Sequence, residues 1–216
     1  MWTLEAQLRA RGLTLIAGVD EAGRGAWAGP VAVGAVILPD TLEPRAYRDS
    51  KALSPAQRER LALEIKRDAV AWAVEFAHAA EVDQYGVLNA TKRAARRAIS
   101  SLTPTPEGLI TDYLKLGLAL PELAPPRADS SSYSVAAASI LAKTTRDAYM
   151  VEMDATYPHY GFAGHKGYGA STHQAALETH GACVEHRRSF RPVALVTDGL
   201  YSTVSSERIQ RLEIDV

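Results

Sequence analysis

The chain has 216 residues, 24 Lys and Arg against 25 Asp and Glu, and a formal net charge of −1. That length suits one sizeable core, and the balanced charge neither demands nor excludes nucleic acid, so any electrostatic footprint must be local. No apolar run approaches the roughly 20 residues of a membrane helix, Met1-Trp2-Thr3-Leu4-Glu5 lacks the character of a signal peptide, and the single Cys183 fits a reducing cytoplasm, which is the expected location.

Leu15–Asp20 and Val31–Leu38 read as two strands joined by the Gly23–Pro30 turn. Ser54-Pro55-Ala56-Gln57 is a capping box with proline at the first helical position, opening a helix to about Asp68. Ala71–Ala79 reads as a third strand, Asn89–Leu102 as a helix, and Leu109–Asp112 as a short strand ending in an acid. Pro121–Asp129 reads as an irregular, proline-rich connection. Ser134–Tyr157 is the longest helical pattern. Ser171-Thr172-His173-Gln174 looks like a second capping box for a helix to Thr179, stopped by Gly181, and Thr203–Leu212 is a candidate last helix. Interleaved strands and helices predict an α/β layer, and the hairpin requires a mixed sheet.

Gly18-Val19-Asp20-Glu21-Ala22-Gly23-Arg24-Gly25 is the most informative stretch. It puts two carboxylates at a strand end, beside a glycine-rich turn. The glycines are not a dinucleotide fingerprint, because that mechanism needs a helix N-terminus after them, and here Pro30 and the β-branched Val31, Val33, Val36 and Ile37 follow. A backbone clamp on a sugar or phosphate remains open, since glycine permits close approach. Asp20 and Glu21, as strand neighbours, point to opposite faces. They are expected to converge only if the chain leaves the strand at Glu21.

Asp112 and Asp129 also fall near strand ends or loops. Turn or capping roles are the ordinary alternative for both. Clustered carboxylates repel by about 4 kcal/mol per close pair at an effective dielectric near 20, which divalent cations would relieve. Oxygen donors suit Mg²⁺ or Mn²⁺. His159 and His165 lack the matching cysteines of a zinc site. Asp147 lies one helical turn after Lys143, the spacing of a supporting ion pair. Lys92, Arg93, Arg96 and Arg97 form a basic stripe that could follow a nucleic-acid backbone or be an ordinary solvated face.

These residues, together with Asp49-Ser50-Lys51, Ala136-Ala137-Ala138-Ser139-Ile140-Leu141-Ala142-Lys143-Thr144-Thr145-Arg146-Asp147, His165-Lys166-Gly167-Tyr168 and His186-Arg187-Arg188-Ser189-Phe190, resemble bacterial ribonuclease HII from about Leu15 to Val193. The resemblance implies an RNase H-like fold with a central five-stranded mixed sheet flanked by helices and a helical C-terminal part. It implies a catalytic domain over residues 1–195, followed by a tail of unassigned role over residues 196–216. The implied activity is a metal-dependent endonuclease that cuts the RNA strand of RNA–DNA hybrids. It also nicks duplex DNA 5′ to embedded ribonucleotides, leaving 3′-hydroxyl and 5′-phosphate ends.

By the same resemblance Asp20, Glu21, Asp112 and Asp129 are the catalytic, metal-binding acids, with Asp20 the expected bridging carboxylate. The expected cofactor is Mn²⁺ or Mg²⁺ at a two-metal site, a pair of ions about 4 Å apart. Gly23, Arg24 and Gly25 would read the 2′-hydroxyl through backbone atoms. Tyr168 would pack on the following deoxyribose. Lys51, Lys143, Arg146 and Lys166 are expected phosphate contacts. His186 and Arg187 are left between a structural role and one at the site. The expected partner is hybrid or ribonucleotide-containing duplex, with no membrane and a monomeric chain. One departure stands out: the family usually has glycine after its third acid, and this chain has Tyr113.

Overall fold

The computed structural model describes residues 2–41 and 53–197. Lys51, with the Asp49-Ser50-Lys51 motif, and the helix expected over Thr203–Leu212 lie outside the described residues. In chain order the elements are α1 (Thr3–Arg9), β1 (Ile16–Ala22), β2 (Val31–Ile37), α2 (Pro55–Asp68), β3 (Ala71–Ala77), α3 (Ala79–Tyr85), α4 (Val87–Ser100), β4 (Gly108–Thr111), β5 (Glu122–Leu123), α5 (Tyr133–Thr156), α6 (Phe162–His165), α7 (Ser171–His180) and α8 (Arg191–Thr197). A single 3₁₀ turn, Ala128–Ser130, precedes α5. Among the described residues no helix is long and apolar enough to cross a membrane.

The sheet is mixed and five-stranded, in the order β3-β2-β1-β4-β5. β2 pairs antiparallel with β1 and with β3, while β4 pairs parallel with β1 and with β5. The period-two alternation of strand side chains divides the core. Ala17, Val19, Val31, Val33, Ala35 and Ile37 pack with Ala90, Ala94, Ala95 and Ala98 of α4. Val36 and Leu38 turn the other way, onto α5 and α2, and Ile16 and Ile110 meet Val135 and α1.

α5 is seated very closely on the sheet. A methyl group added at Gly18 would overlap the backbone of Ser134 and Val135, and one at Gly34 would overlap the carbonyl of Ala138. Gly34 is the cross-strand partner of Asp20. The α5 backbone therefore rests on bare strand beside the first acid.

Several elements differ from the sequence expectation. The Ser54 capping box forms as expected, with Ser54 accepting from Gln57 N–H and the Gln57 side chain bonding back. The second one does not: Ser171 is the first helical residue, Ala170 is the cap, and no side chain caps the helix. α1, α3 and α8 are seven-residue helices, too short for a clear periodic signal. β5 is two residues of the proline-rich connection that pair with β4, a contact local sequence does not encode.

The basic stripe on α4 is consumed internally. Arg93 and Arg97 bond Glu81 of α3 at 3.1 and 2.9 Å, and Arg96 donates to Leu116 O at 2.6 Å. Three of its four cations thus tie α4 to α3 and to the Leu116 segment, although Arg93 and Arg96 stay exposed.

The C-terminal helices are joined to the β1–β2 loop by buried histidines. His173 bonds Tyr168 O through Nδ1 at 2.9 Å, and its Nε2 lies 3.1 Å from His186 Nε2. Cys183 N–H donates to His186 Nδ1 at 3.1 Å. A carbonyl can only accept, so the proton of neutral His173 is on Nδ1. Its Nε2 must then accept, which puts the His186 proton on Nε2. Every partner is satisfied only when both rings are neutral. Burial pulls both pKa values down to about 4.

Two expectations follow. Gly34→Ala should destabilise the protein by about 1–3 kcal/mol through overpacking, lowering Tm by about 2–4 °C for each kcal/mol. Calorimetry reads this directly, and an unchanged Tm would contradict the direct seating of α5. For the histidines, the folded pKa near 4 lies below the unfolded value near 6.5. The unfolded chain therefore binds more protons in that window, and stability present above pH 6.5 should fall as pH drops toward 4. Imidazole ¹⁵N spectra at pH 5.5 should show His173 and His186 still neutral; protonated rings there would refute the arrangement.

Candidate active site

The parallel pairing of β1 with β4 stops at Val19↔Thr111. β4 ends there, and the next residue is Asp112. β1 runs on to Ala22, paired with β2 alone. A notch thus opens at the carboxyl ends of two parallel strands, where open α/β sheets commonly place ligands. Asp20 and Glu21 overhang it from β1 and Asp112 leaves β4 into it. Asp129 arrives on the 3₁₀ turn before α5. The notch is a cavity of about 320 Å³ lined by Asp20, Glu21, Ala22, Gly23, Asp112, Asp129, Ser139, Lys143 and Tyr168.

The convergence of Asp20 and Glu21 has a different cause from the one expected. The chain does not leave the strand at Glu21, which still pairs with Val33. Both carboxylates reach one cavity because β4 is missing beside them at the sheet end.

Asp20 is 8% exposed. Its Oδ1 accepts from Glu21 N–H at 2.8 Å, and the Ser139 hydroxyl of α5 also bonds it. Burial, then the charges of Glu21 and Asp112, push its carboxyl up to about 8. Glu21 is also raised, by burial first, although Arg24 at 3.0 Å opposes the shift. Ala128 N–H donates to Asp112 Oδ1 at 3.0 Å, tying the third acid to the turn that carries the fourth.

This is a site with too much negative potential for its burial. The donors are oxygens, which fits a hard divalent cation such as Mg²⁺ or Mn²⁺. Among the described residues no three acidic, histidine or cysteine side chains already close on one point. Arg24 draws Glu21 and Ala128 draws Asp112, and these are the contacts with which a cation would compete.

The Gly23–Pro30 loop is held from beneath by two buried arginines. Arg146 donates from Nε to Pro30 O at 2.8 Å and from Nη2 to Ala28 O at 3.1 Å. Arg187 donates to Gly29 O from Nε and Nη2, at 3.0 and 2.8 Å, and from Nη1 to Arg24 O at 2.9 Å. Gly23 has φ +91°, and a side chain there would strike the Arg146 guanidinium. Trp27 and Ala28 N–H both donate to Gly167 O, at 2.8 and 3.2 Å, so the Tyr168 segment docks on the same loop.

Arg146 therefore corrects an expectation. It is fully buried, with Nε and Nη2 on backbone carbonyls and Nη1 without a partner among the described residues, so it is not a surface phosphate contact. Lys166 is displaced too: it donates to Ala163 O and lines a larger groove of about 880 Å³ between α2 and α5. That groove holds none of the four acids, and the smaller cavity is the chemically equipped one. Lys143 does line the acid cavity, and its Nζ bonds Asp147 at 2.7 Å, the pairing its spacing predicts. Tyr168 lines it as well and is 38% exposed. His186 and Arg187 are both buried supports.

Sequence reasoning missed the role of Ser139, although it lies in a quoted motif. It also missed both arginine clamps. Arginines in helical or loop patterns read as exposed, and only long-range packing buries them.

The family model for ribonuclease HII matches residues 17–193. A ribonuclease HII of Thermus thermophilus is 58% identical over 191 residues, covering 88% of this chain and 93% of that protein. The ribonuclease H2 structure from Pyrococcus horikoshii superimposes with a TM-score of 0.73 at 24% identity, covering 85% of this chain and 97% of that one. Bst-RNase HIII, solved in complex with Mn²⁺, gives a TM-score of 0.66 at 20% identity over 88% of this chain and 72% of its own. With the family model spanning most of the chain and a relative at this identity, the protein belongs to the ribonuclease HII family.

Proposed function

We propose that this enzyme hydrolyses the RNA strand of RNA–DNA hybrids and nicks duplex DNA on the 5′ side of embedded ribonucleotides. The observation that most supports this is the shared cavity. Asp20, Glu21, Asp112 and Asp129 line it together with Gly23 and Tyr168, so acid chemistry and ribose recognition would meet at one phosphate.

Asp20, Glu21, Asp112 and Asp129 would hold the divalent cations, with Asp20 as the shared carboxylate. When bound, Mg²⁺ or Mn²⁺ supplies charge relief at the phosphoryl group and an acidified water. Bst-RNase HIII in its Mn²⁺ complex is a precedent on this fold. The Ser139 hydroxyl and Glu21 N–H fix the orientation of Asp20. Lys143, steadied by Asp147, presents a cation to the phosphate at the cavity wall.

The Gly23-Arg24-Gly25 backbone would read the 2′-hydroxyl, both donor and acceptor. Arg146 and Arg187 keep that backbone in place, which lowers the ordering cost of recognition. Tyr168, on the segment docked against that loop, presents its ring at the cavity wall. An extra 2′-hydroxyl on the next sugar would crowd it, favouring deoxyribose there and hence a junction. Products would be a 3′-hydroxyl and a 5′-phosphate.

Duplexes carrying one ribonucleotide, four ribonucleotides or none, incubated with Mg²⁺ or Mn²⁺, test the reading. A nick 5′ to the single ribonucleotide, abolished by chelation, is expected; equal cutting of all-DNA duplex would refute it. Asp20→Asn should lower kcat at least 10³-fold, an order of magnitude set by loss of preorganised charge, while duplex binding persists. Tyr168→Ala should reduce junction cleavage about tenfold or more, with Tm little changed because the ring is partly exposed.

A further inference from the structure

Among the described residues three non-glycine positions have a left-handed backbone: Tyr113 at φ 58°, Arg127 at φ 55° and Lys166 at φ 53°. Such a backbone is strained for any residue with a Cβ. When kept, it commonly marks a site where the side chain has work to do. Two of the three flank a single hydrogen bond, Ala128 N–H to Asp112 Oδ1 at 3.0 Å. Tyr113 directly follows Asp112, and Arg127 directly precedes Ala128. Tyr113 N–H donates to Pro125 O at 3.2 Å, so the two segments lie side by side.

Neither side chain recovers the strain by packing. Tyr113 is 78% exposed, the highest value among the exposed large hydrophobic residues. Arg127 is exposed, and its guanidinium has no hydrogen bond or ion pair among the described residues. A glycine at 113 would adopt φ 58° freely and forgo only the small part of the side chain that is covered. The fold itself gains little from the phenol ring.

Their placement and chemistry supply a reason. Tyr113 directly follows Asp112 and Arg127 lies two residues before Asp129, both acids of the cavity lining, so the pair borders the cavity on the β4 side of β1, while the Gly23 loop lies on the β2 side. An exposed aromatic ring and an unpaired guanidinium on neighbouring backbone segments suit a nucleic-acid strand. Rings stack on bases or sugars without regard to sequence, and guanidinium pairs with phosphate.

We propose that Tyr113 and Arg127 are substrate-contacting residues forming a second rim of the site, with Tyr113 stacked on a base or sugar of the bound duplex and Arg127 on a phosphate. The inference rests on the nuclease reading above. The two rims would grip the nucleic acid on either side of the acids, so that the scissile phosphate is positioned from both flanks. Tyr113 then adds affinity at a position where glycine would offer only backbone.

Strain makes the test clean, because the variant that loses the contact also relaxes the backbone. On the full chain with a single-ribonucleotide duplex, Tyr113→Gly should hold or raise Tm. It should increase KM about 5- to 10-fold with kcat changed less than twofold. Tyr113→Phe should restore KM to near the wild-type value. Arg127→Gly should reduce the slope of log(kcat/KM) against log salt by about one. An unchanged KM in Tyr113→Gly with an unchanged salt slope in Arg127→Gly would overturn the proposal alone, provided the wild type cuts. A fall in kcat at constant KM would also overturn it, assigning Tyr113 to the support of Asp112. Failure of the wild type to cut any ribonucleotide-containing duplex would overturn the function reading and this one with it.

Discussion

The seating of one helix on two glycines sets the geometry of everything near the acids. The α5 backbone lies against Gly18 and Gly34, so close that neither position has room for a methyl group. Asp20 is paired with Gly34 and lies two residues beyond Gly18 on the same face of β1. Its carboxyl is consequently enclosed between the sheet and the helix, where Ser139 can reach it. Burial of a carboxylate is costly unless compensated. Here the compensation by hydrogen bonds is partial, and the neighbouring charges of Glu21 and Asp112 make the deficit larger. A cavity of that kind attracts cations because its own construction leaves charge unbalanced.

The Gly23–Pro30 loop is built on the opposite electrostatic logic. Arg146 and Arg187 are buried cations whose hydrogen bonds go to no carboxylate among the described residues; they donate to the carbonyls of Arg24, Ala28, Gly29 and Pro30. Burial lowers the pKa of each, yet guanidinium keeps its proton far more tenaciously than any other side chain. The result is a loop whose carbonyls are claimed from beneath, by α5 and by the segment after α7. The neutral His173–His186 pair holds the Tyr168 carbonyl from the same C-terminal part. The acid site and the Gly23 loop therefore share one support. A disturbance at α5 would reach both.

Much of this was legible beforehand. The carboxylate pair, the glycine turn and the strand after it carried their own signals, because turn chemistry and period-two alternation are local properties. The Lys143–Asp147 pair followed from helical spacing alone. What could not be read was anything depending on where a strand stops relative to its neighbour. Asp20 and Glu21 were expected to meet by a turn of the chain, yet they meet because β4 is shorter than β1. Arg146 was expected at the surface for its charge, and it lies in the interior, where it donates to two carbonyls of a distant loop. The basic stripe on α4 was likewise taken up by Glu81 and Leu116.

By itself the sequence determined the class of fold, the acids at strand ends and the residue types of the glycine-rich loop. Each is written in short-range pattern, where propensity and spacing act within a few residues. Tertiary structure alone decided that four acids from three separate segments line one cavity of about 320 Å³. It alone buried the arginines and left Tyr113 exposed in a left-handed backbone. The physical reason is the same in each case: burial, strain and electrostatic coupling are properties of the space between elements, and that space exists only once α5 has closed on the sheet.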